Sequence, residues 1–131
     1  GAPFAVIMFD IDYFKLINDR YGHKTGDRIL REVTEIVKGM LRDTDRLFRW
    51  GGDEFVVLLQ DTATEDAHFV AERIRQIIEN HQFTLEEGNI TISLGVGEFL
   101  DGDSLDPFIS YVDNALLLAK LNGKNRIELR A

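Results

Sequence analysis

Four carboxylates in two short segments are the residues of this sequence best suited to chemistry. Asp10 and Asp12 follow an early apolar run, and Asp53 and Glu54 lie between two later ones. Hard cations such as Mg²⁺ prefer oxygen ligands and usually keep water and substrate phosphates, so one or two carboxylates and a backbone carbonyl are enough. If all four carboxylates converge, the sequence predicts a phosphoryl-transfer site. A solvated strand end and an acidic hairpin are the alternative.

Strands must bring these segments together. The run over residues 4–9 predicts a central strand, covered on both faces, whose carboxylates emerge at its C-terminal end. Runs over 47–50 and 55–59 flank Gly51-Gly52-Asp53-Glu54, which predicts two antiparallel strands joined by a tight turn that could lie beside the first strand. Gly51 and Gly52 suit the permissive dihedrals of such a turn, and they also suit close approach of phosphate.

Helices are predicted where apolar residues recur at helical spacing. Thr62 and Glu65 have the spacing of a capping box before the second helix, Ser104 could cap the third, and Gly123 suits its end. The predicted helices run from Thr25 to about residue 41, from Ala67 to Ile78 and from Leu105 to Ala119.

Two further strands complete the predicted fold. Alternating apolar residues from Ile90 to Val96 follow a turn at Glu87-Gly88-Asn89, and Ile127 to Leu129 suit a final edge strand. The sum is one α+β domain with a central, mostly antiparallel sheet flanked by helices.

Composition narrows the class of protein. The 131 residues fit one domain, and 44% hydrophobic with 29% charged residues is typical of a soluble globular protein. The apolar runs are too short to span a bilayer, and the absence of cysteine excludes disulfides and thiolate metal sites. A net charge of -8 argues against a DNA or RNA partner but leaves a small polyphosphate open. We expect a cytoplasmic domain without membrane contact.

Four motifs are spread over nearly the whole chain. They are Phe9-Asp10-Ile11-Asp12-x-Phe14-Lys15-x-x-Asn18-Asp19, Gly22-His23-x-x-Gly26-Asp27, Gly51-Gly52-Asp53-Glu54-Phe55 and Ala119-Lys120-x-x-Gly123-Lys124-Asn125. Together they resemble one family, the GGDEF diguanylate cyclases. The resemblance implies a fold similar to class III nucleotide cyclases and polymerase palms, and condensation of two GTP molecules into cyclic di-GMP and pyrophosphate.

Metal and catalytic roles follow from the resemblance. Asp10, the carbonyl of Ile11 and Asp53 would hold Mg²⁺ or Mn²⁺ against the GTP phosphates, with Glu54 as a second-metal ligand. Asp53 is the family's suggested proton acceptor, but a carboxylate that ligates metal is a poor base, which leaves Glu54 open. Lys15 resembles the family's transition-state stabiliser.

Substrate contacts are implied in the same way. Asn18 and Asp27 match the guanine-reading pair, and a carboxylate can accept from both guanine N1–H and the exocyclic amine, which favours GTP over ATP. Asp27 also suits a helix N-terminus, where the macrodipole favours a carboxylate. The remaining implied contacts are Phe14 lining the nucleotide pocket, His23, Gly51, Gly52, and Lys120 with Lys124 as a phosphate clamp one helical turn apart.

A regulatory site is implied as well. Arg42-x-x-Asp45 lies at the position of the family's inhibitory product site, and Arg73 matches its supplementary arginine. Arginine can fork onto phosphate or the Hoogsteen edge of guanine. We therefore predict feedback by intercalated cyclic di-GMP dimers; an exposed ion pair is the alternative.

Some features depart from the family. No counterpart of its N-terminal helix or of an upstream sensor domain precedes Phe4. Lys124 stands where many relatives have arginine, so an ammonium point charge replaces a guanidinium that could bind phosphate through two parallel hydrogen bonds. Because each domain holds one GTP, catalysis requires a homodimer of facing half-sites. Two other functions stay open: a non-catalytic receptor for cyclic di-GMP, and a purine cyclase that accepts ATP.

Overall fold

A computed structural model describes residues 2–83 and 89–130 of the protein. The predicted strands and helices are all present, and one helix was not predicted. The elements are β1 (Phe4–Ile11), α1 (Phe14–Tyr21), α2 (His23–Met40), β2 (Arg46–Arg49), β3 (Glu54–Gln60), α3 (Thr64–Asn80), β4 (Ile92–Glu98), α4 (Leu105–Leu121) and β5 (Ile127–Leu129).

The strands form one sheet in the order β2-β3-β1-β4-β5. Neighbouring strands are antiparallel except β4 and β5, which are parallel. This confirms the predicted α+β fold with a mostly antiparallel central sheet. Because β1 is the middle strand and both its neighbours run against it, its C-terminal end lies beside the first residues of β3 and β4. The turn of the β2–β3 hairpin therefore lies next to Asp10.

Two apolar layers cover the two faces of the sheet. Side chains of β1 alternate between them, as a fully covered strand requires. Ile7 and Phe9 enter the layer shared with α2 and α3, whereas Val6 and Met8 enter the layer under α4. The fully buried β1 thus positions its last residues rigidly.

Gly95 lets α4 approach the sheet closely. A Cβ at this position of β4 would lie 2.5 Å from both the Val112 carbonyl oxygen and the Leu116 nitrogen. Real side chains do not tolerate such a contact with backbone, so any larger residue would push α4 away. This close packing places Lys120, one turn beyond Leu116, above the end of β1.

The helix α1 was not predicted, and α2 begins at His23 rather than Thr25. Gly22 separates the two helices with a φ of 91°, which glycine adopts readily. Phe14 and Ile17 of α1 pack against the core but are only half-buried, so the apolar stripe of this eight-residue helix is short. Its Phe14–Ile17–Tyr21 spacing is the signal that could have found it.

The predicted capping box before α3 is wrong. The Thr62 hydroxyl donates to the Gln60 carbonyl at 2.7 Å instead of to the helix. The α3 N-terminus is bonded by Glu98 of β4, whose Oε1 accepts from the Thr64 nitrogen at 3.0 Å and from its hydroxyl at 3.1 Å. Ser104 does precede α4, but its side chain makes no capping hydrogen bond.

The remaining boundaries differ slightly from prediction. The strand β4 runs from Ile92 to Glu98 rather than from Ile90 to Val96, and β5 agrees with prediction. Of the predicted turn over residues 87–89, Glu87 and Gly88 lie outside the described residues. Within the described residues, we find no helix with the length and apolar character needed to cross a bilayer.

Candidate active site

The end of β1 meets the start of β3. Asp10 pairs with Glu54 in the strand register, and the Ile11 N–H donates to the Asp53 carbonyl at 3.3 Å. A cavity of about 260 Å³ opens at this point. The predicted site residues that line it are Asp10, Ile11, Phe14, Lys15, Asp53, Lys120 and Lys124.

Asp10 has one carboxylate oxygen without a partner. The residue is 7% exposed. Its Oδ2 accepts a hydrogen bond from Lys120 Nζ, whereas its buried Oδ1 has no hydrogen-bond partner among the described residues. Burial raises the pKa of Asp10, Lys120 opposes this rise, and the charges of Asp53 and Asp113 add to it. A buried, unpaired carboxylate oxygen is costly, and a bound cation would satisfy it.

Glu54 and Lys120 complete the charged cluster. Burial raises the pKa of Glu54, and the charges of Asp10 and Asp113 raise it further. Burial disfavours the Lys120 ammonium, but its hydrogen bond to Asp10 and the nearby carboxylates raise its pKa overall. Asp113 was not predicted as part of this site. It lies on α4 seven residues before Lys120, which is two helical turns on one face, and this spacing could have revealed it.

Asp12 differs from the other carboxylates. Its Oδ1 accepts from the Ser93 hydroxyl at 2.6 Å, and its Oδ2 accepts from the Thr91 hydroxyl at 2.7 Å and from the Asn125 nitrogen at 3.0 Å. Both oxygens are thus used by protein donors. Asp12 does converge with Asp10 and Asp53 on one cavity, but its carboxylate is already satisfied there. Asp12 joins β1 to β4 and to the segment after α4.

The glycines of the hairpin do not act as predicted through backbone freedom. Neither Gly51 nor Gly52 has a positive φ. A Cβ at Gly52 would meet no atom within 4 Å, so the residue leaves open space in front of the hairpin. The Arg49 side chain fixes the turn by donating to the Gly52 carbonyl at 2.6 Å and, more weakly, to that of Gly51 at 3.3 Å.

The predicted guanine-reading residues, Asn18 and Asp27, lie on α1 and α2, and neither is among the described residues that line this cavity. A Cβ on Gly26 would lie 1.8 Å from Asn18 Oδ1 and 3.3 Å from the Phe14 ring, so a larger residue would displace the Asn18 amide. Asn18 Oδ1 is buried, and the described part of the chain offers it no hydrogen-bond partner. A ligand donor would satisfy this amide oxygen.

Asp27 lies next to Gly26 and faces a second cavity. This cavity of about 580 Å³ runs along α2 to Arg49. Because α2 begins at His23, Asp27 lies just beyond the first turn, where the effect of the macrodipole is already falling. Asp27 and His23 are both exposed.

Lys124 is not on the helix that carries Lys120. The helix α4 ends at Leu121, and Lys124 lies in the following segment with a φ of 64°. The predicted spacing of one helical turn is therefore wrong. Lys124 Nζ lies 5.2 Å from the centroid of the Tyr13 ring, at the edge of the cavity below Asp10.

The residues predicted for a product site form a separate cluster at the other end of the hairpin. Arg42, Asp45 and Arg73 line one cavity of about 290 Å³ together with the acidic residues Asp61 and Asp66. The exposed Arg73 comes from α3, whereas the other two predicted residues come from the segment between α2 and β2.

Arg42 and Asp45 form a bidentate pair. Arg42 Nε donates to Asp45 Oδ2 at 3.1 Å and its Nη2 donates to Oδ1 at 2.9 Å. Nη2 also donates to the Gln60 carbonyl at 2.8 Å and to the Thr62 hydroxyl at 3.0 Å. Burial opposes ionisation of Asp45, but the hydrogen bonds and charge of Arg42 outweigh it and lower the Asp45 pKa.

The described residues contain no group of three His, Cys, Asp or Glu side chains arranged to hold a metal ion by themselves. The predicted ligand set includes a backbone carbonyl, and Mg²⁺ usually completes its shell with water and substrate phosphates. The unpaired Asp10 oxygen beside Asp53 fits such a partial site.

The fold and this site define a nucleotide cyclase palm, and comparisons with known proteins identify the family. The family model "Diguanylate cyclase, GGDEF domain" matches residues 1–126. The chain belongs to this family, with Gly51-Gly52-Asp53-Glu54-Phe55 as its signature.

Relatives and solved structures agree with this assignment. The chain is 42% identical to diguanylate cyclase A of Treponema denticola over 128 residues, which are 95% of this chain and 34% of that protein. It is 39% identical to the response regulator PleD of Caulobacter vibrioides, covering 97% of this chain and 29% of that protein. The chain thus spans about a third of the length of these curated relatives.

Among solved structures, the active GGEEF domain of a diguanylate cyclase from Vibrio cholerae has a TM-score of 0.94 and 36% identity, covering 99% of this chain and 84% of that one. The GGDEF domain of DgcB from Caulobacter crescentus, solved in complex with c-di-GMP, has a TM-score of 0.91 and 30% identity, covering 98% of this chain and 78% of that one.

Proposed function

We propose that this protein is a diguanylate cyclase, which joins two GTP molecules into cyclic di-GMP and releases two pyrophosphates. Each 3′-hydroxyl oxygen forms a bond to the α-phosphorus of the other GTP as the bond to the leaving pyrophosphate breaks. The observation that carries the proposal is the unpaired Asp10 Oδ1 beside the GGDEF hairpin. Lys120 bonds only the other oxygen of this carboxylate. A metal cation would satisfy Oδ1, and a nucleoside triphosphate arrives with one.

The divalent cation would be Mg²⁺ or Mn²⁺. Asp10, the Ile11 carbonyl and Asp53 would hold it, with Glu54 as a further ligand. When bound, it neutralises charge on the phosphate oxygens and lowers the pKa of the attacking hydroxyl. Asp53 or Glu54 would accept the proton of the attacking hydroxyl.

Lysines around the cavity would bind the triphosphate. Lys120 now bonds Asp10, and a cation at that carboxylate would free its ammonium for phosphate. Lys124 and Lys15 lie at the same cavity and provide further positive charge. Gly52 leaves the hairpin open to phosphate.

Guanine would be read by Asn18 and Asp27. The free Asn18 amide oxygen accepts a donor of the base, and the Asp27 carboxylate accepts from N1–H and the exocyclic amine, a donor pair that adenine lacks. Phe14 would line this pocket, and His23 at the exposed start of α2 would provide a further contact.

Catalysis would occur between two copies of the chain. Each domain binds one GTP, and both reacting hydroxyls must face the other nucleotide, which a two-fold symmetric homodimer of half-sites provides. The site would work in the cytoplasm, where GTP is available, as one catalytic domain of a larger sensor protein.

The product would bind at Arg42, Asp45 and Arg73. These residues share one cavity, and the bidentate pair with Asp45 orients the Arg42 guanidinium. Arg42 Nη1 makes no hydrogen bond to the described residues. Intercalated cyclic di-GMP dimers would occupy this cavity and inhibit the enzyme. The solved DgcB domain contains c-di-GMP, which is consistent with such a role.

Incubation with GTP and Mg²⁺, followed by mass analysis of the products, tests the proposal. We expect cyclic di-GMP from the protein, and none from an Asp53→Ala variant or from ATP alone. Binding of cyclic di-GMP without turnover at high protein concentration would support a receptor instead. Equal use of ATP and GTP in competition would contradict the role of Asp27.

A further inference from the structure

Two consecutive residues after α4 have left-handed backbone conformations. Lys124 has a φ of 64° and Asn125 a φ of 49°. Residues other than glycine rarely adopt this region, asparagine being one of the more tolerant, and two in succession require surrounding contacts that fix them. These contacts matter for the site because Lys124 lines the cavity below Asp10.

Asn125 supplies the fixing contacts. Its backbone N–H donates to Asp12 Oδ2 at 3.0 Å. Its side-chain Oδ1 accepts from Arg75 Nη1 at 3.0 Å, and its Nδ2 donates to Glu79 Oε2. The segment is therefore anchored on one side to the end of β1 and on the other side to α3.

The anchor on α3 is itself rigid. Arg75 Nε donates to Glu72 Oε2 at 3.0 Å, and its Nη2 donates to the other oxygen of Glu72. The Arg75 side chain is only 16% exposed, which limits screening of these ion pairs. The Asn125 amide thus meets a prearranged donor, Arg75, which Glu72 holds in place, and an acceptor, Glu79.

Lys124 has no comparable anchor for its side chain. Its backbone N–H donates to the Ala119 carbonyl at 3.0 Å, and its ammonium lies over the Tyr13 ring. Because Lys124 lies beyond the end of α4, the helix does not fix the direction of its side chain. The backbone of the segment does so. Asn125 fixes that backbone together with Arg126, whose Nε donates to the Lys124 carbonyl at 3.3 Å.

We propose that Asn125 is a positioning residue, which with Arg75 and Glu79 of α3 aims Lys124 at the phosphates of the nucleotide. This inference rests on the proposed function, since it assigns Lys124 a triphosphate ligand. Asn125 itself does not touch the substrate. Its role is to keep Lys124 within reach of the cavity that Asp10 and Asp53 line.

An Asn125→Gly variant removes the side chain. Glycine adopts the left-handed conformation without strain and keeps the N–H bonded to Asp12, so that variant loses the bonds to Arg75 and Glu79 and leaves the backbone freer. We expect its Kd for a non-hydrolysable GTP analogue with Mg²⁺, measured by calorimetry, to rise about tenfold. An Asn122→Ala variant is the matched control, because Asn122 in the same segment donates to Glu128 at an exposed position, and its Kd should not change.

A double-mutant cycle with Lys124 separates positioning from general stability. If Asn125 acts through Lys124, Asn125→Gly will have no further effect on the Kd in a Lys124→Ala background. An equal rise in both backgrounds, or no rise in either, overturns the inference. Should Asn125→Gly fail to fold, the pair Glu79→Ala and Glu79→Gln replaces it. Glu79→Ala should weaken binding of the analogue, whereas Glu79→Gln should retain it, since glutamine still accepts from the Asn125 amide. Equal affinities of these two variants would overturn the inference.

The two proposals fail in different ways. If the unmodified protein does not bind the analogue, the proposed function is wrong and this inference falls with it. If it binds the analogue and the Kd of Asn125→Gly is unchanged, only the role of Asn125 is wrong.

Discussion

Two buried aspartates at opposite ends of β3 are in opposite electrostatic states. Asp10 pairs with Glu54, the first residue of this strand, and Asp45 is bonded through Arg42 to Gln60, its last. Seven residues of strand separate these ends by about 20 Å. Asp10 has an unpaired oxygen and a raised pKa, whereas the Asp45 carboxylate is bound by a guanidinium and has a lowered pKa.

The difference lies in how completely the protein satisfies each carboxylate. Lys120 bonds only Oδ2 of Asp10 and leaves Oδ1 unpaired among the described residues, which is the opening for the proposed cation. At Asp45, Arg42 bonds both carboxylate oxygens, and the exposed part of Arg42 faces solvent. We therefore expect a substitution at Asp10 to lower turnover with little change in stability. We expect a substitution at Arg42 to weaken product binding with little change in turnover.

The largest effect should come from Asp10→Asn. This change removes the charge that the cation requires, so we expect steady-state formation of cyclic di-GMP to fall by about 10³-fold or more. The free energy of unfolding at pH 7 should stay within about 1 kcal/mol, because the amide avoids the burial of a charge. Asp12→Asn is the matched control. Its amide nitrogen cannot accept, so at least one of the three hydrogen bonds to Asp12 is lost, and the free energy of unfolding should fall by about 1–3 kcal/mol. If chemical denaturation shows that Asp10→Asn destabilises the protein strongly and Asp12→Asn does not, the roles that we assign to these two residues are contradicted.

Arg42→Ala should give the next largest effect. Loss of the guanidinium should weaken binding of cyclic di-GMP by about 10-fold to 100-fold, because a charge-assisted contact to phosphate or guanine is removed. Initial turnover without added product should be retained. Arg46→Ala is a suitable control, since Arg46 donates to the carbonyls of Asp43 and Asp45 rather than facing the product cavity. Calorimetric titration with cyclic di-GMP measures both, and equal affinities would remove Arg42 from the product site.

The smallest effect should be a pH dependence at Asp45. Folding lowers the Asp45 pKa from its ordinary value of 3.8, so its ionised form stabilises the fold. This stabilisation is fully present above pH 3.8 and is lost as the pH falls through the lower folded pKa. Asp45→Asn should therefore lower the free energy of unfolding at pH 7 by about 1–2 kcal/mol. The difference in the free energy of unfolding between this variant and the unmodified protein should shrink as the pH falls through the folded Asp45 pKa. A difference that grows there would contradict a stabilising role of the Asp45 charge.

The fold could be predicted from the sequence where apolar periodicity is long. The buried run of β1 and the helical stripe of α3 each determined their element, and the hairpin followed from two runs around Gly51 and Gly52. The helix α1 was missed because its apolar face is short and none of its residues is buried. The capping box failed for a different reason, since Glu98, 34 residues away in sequence, bonds the start of α3.

The candidate site was predicted mainly through motifs. Local sequence cannot distinguish Asp10 from Asp12, because their difference arises from Thr91, Ser93 and Asn125, which only the sheet brings close to Asp12. Lys124 is a different case, because Gly123, predicted as the end of the helix, already indicated that Lys124 lies beyond α4. Asp113 was missed because its one sequence signal is its spacing of seven residues from Lys120 on the same helix.

The most direct test of the account is a crystal structure of the protein with Mn²⁺ and a non-hydrolysable GTP analogue, in which anomalous scattering locates the metal. We predict a manganese ion bound to Asp10 Oδ1 and Asp53 at about 2.1 Å, with Lys120 released from Asp10 and turned to the phosphates. A nucleotide bound with its metal away from Asp10, or with the Lys120–Asp10 pair intact, would contradict it.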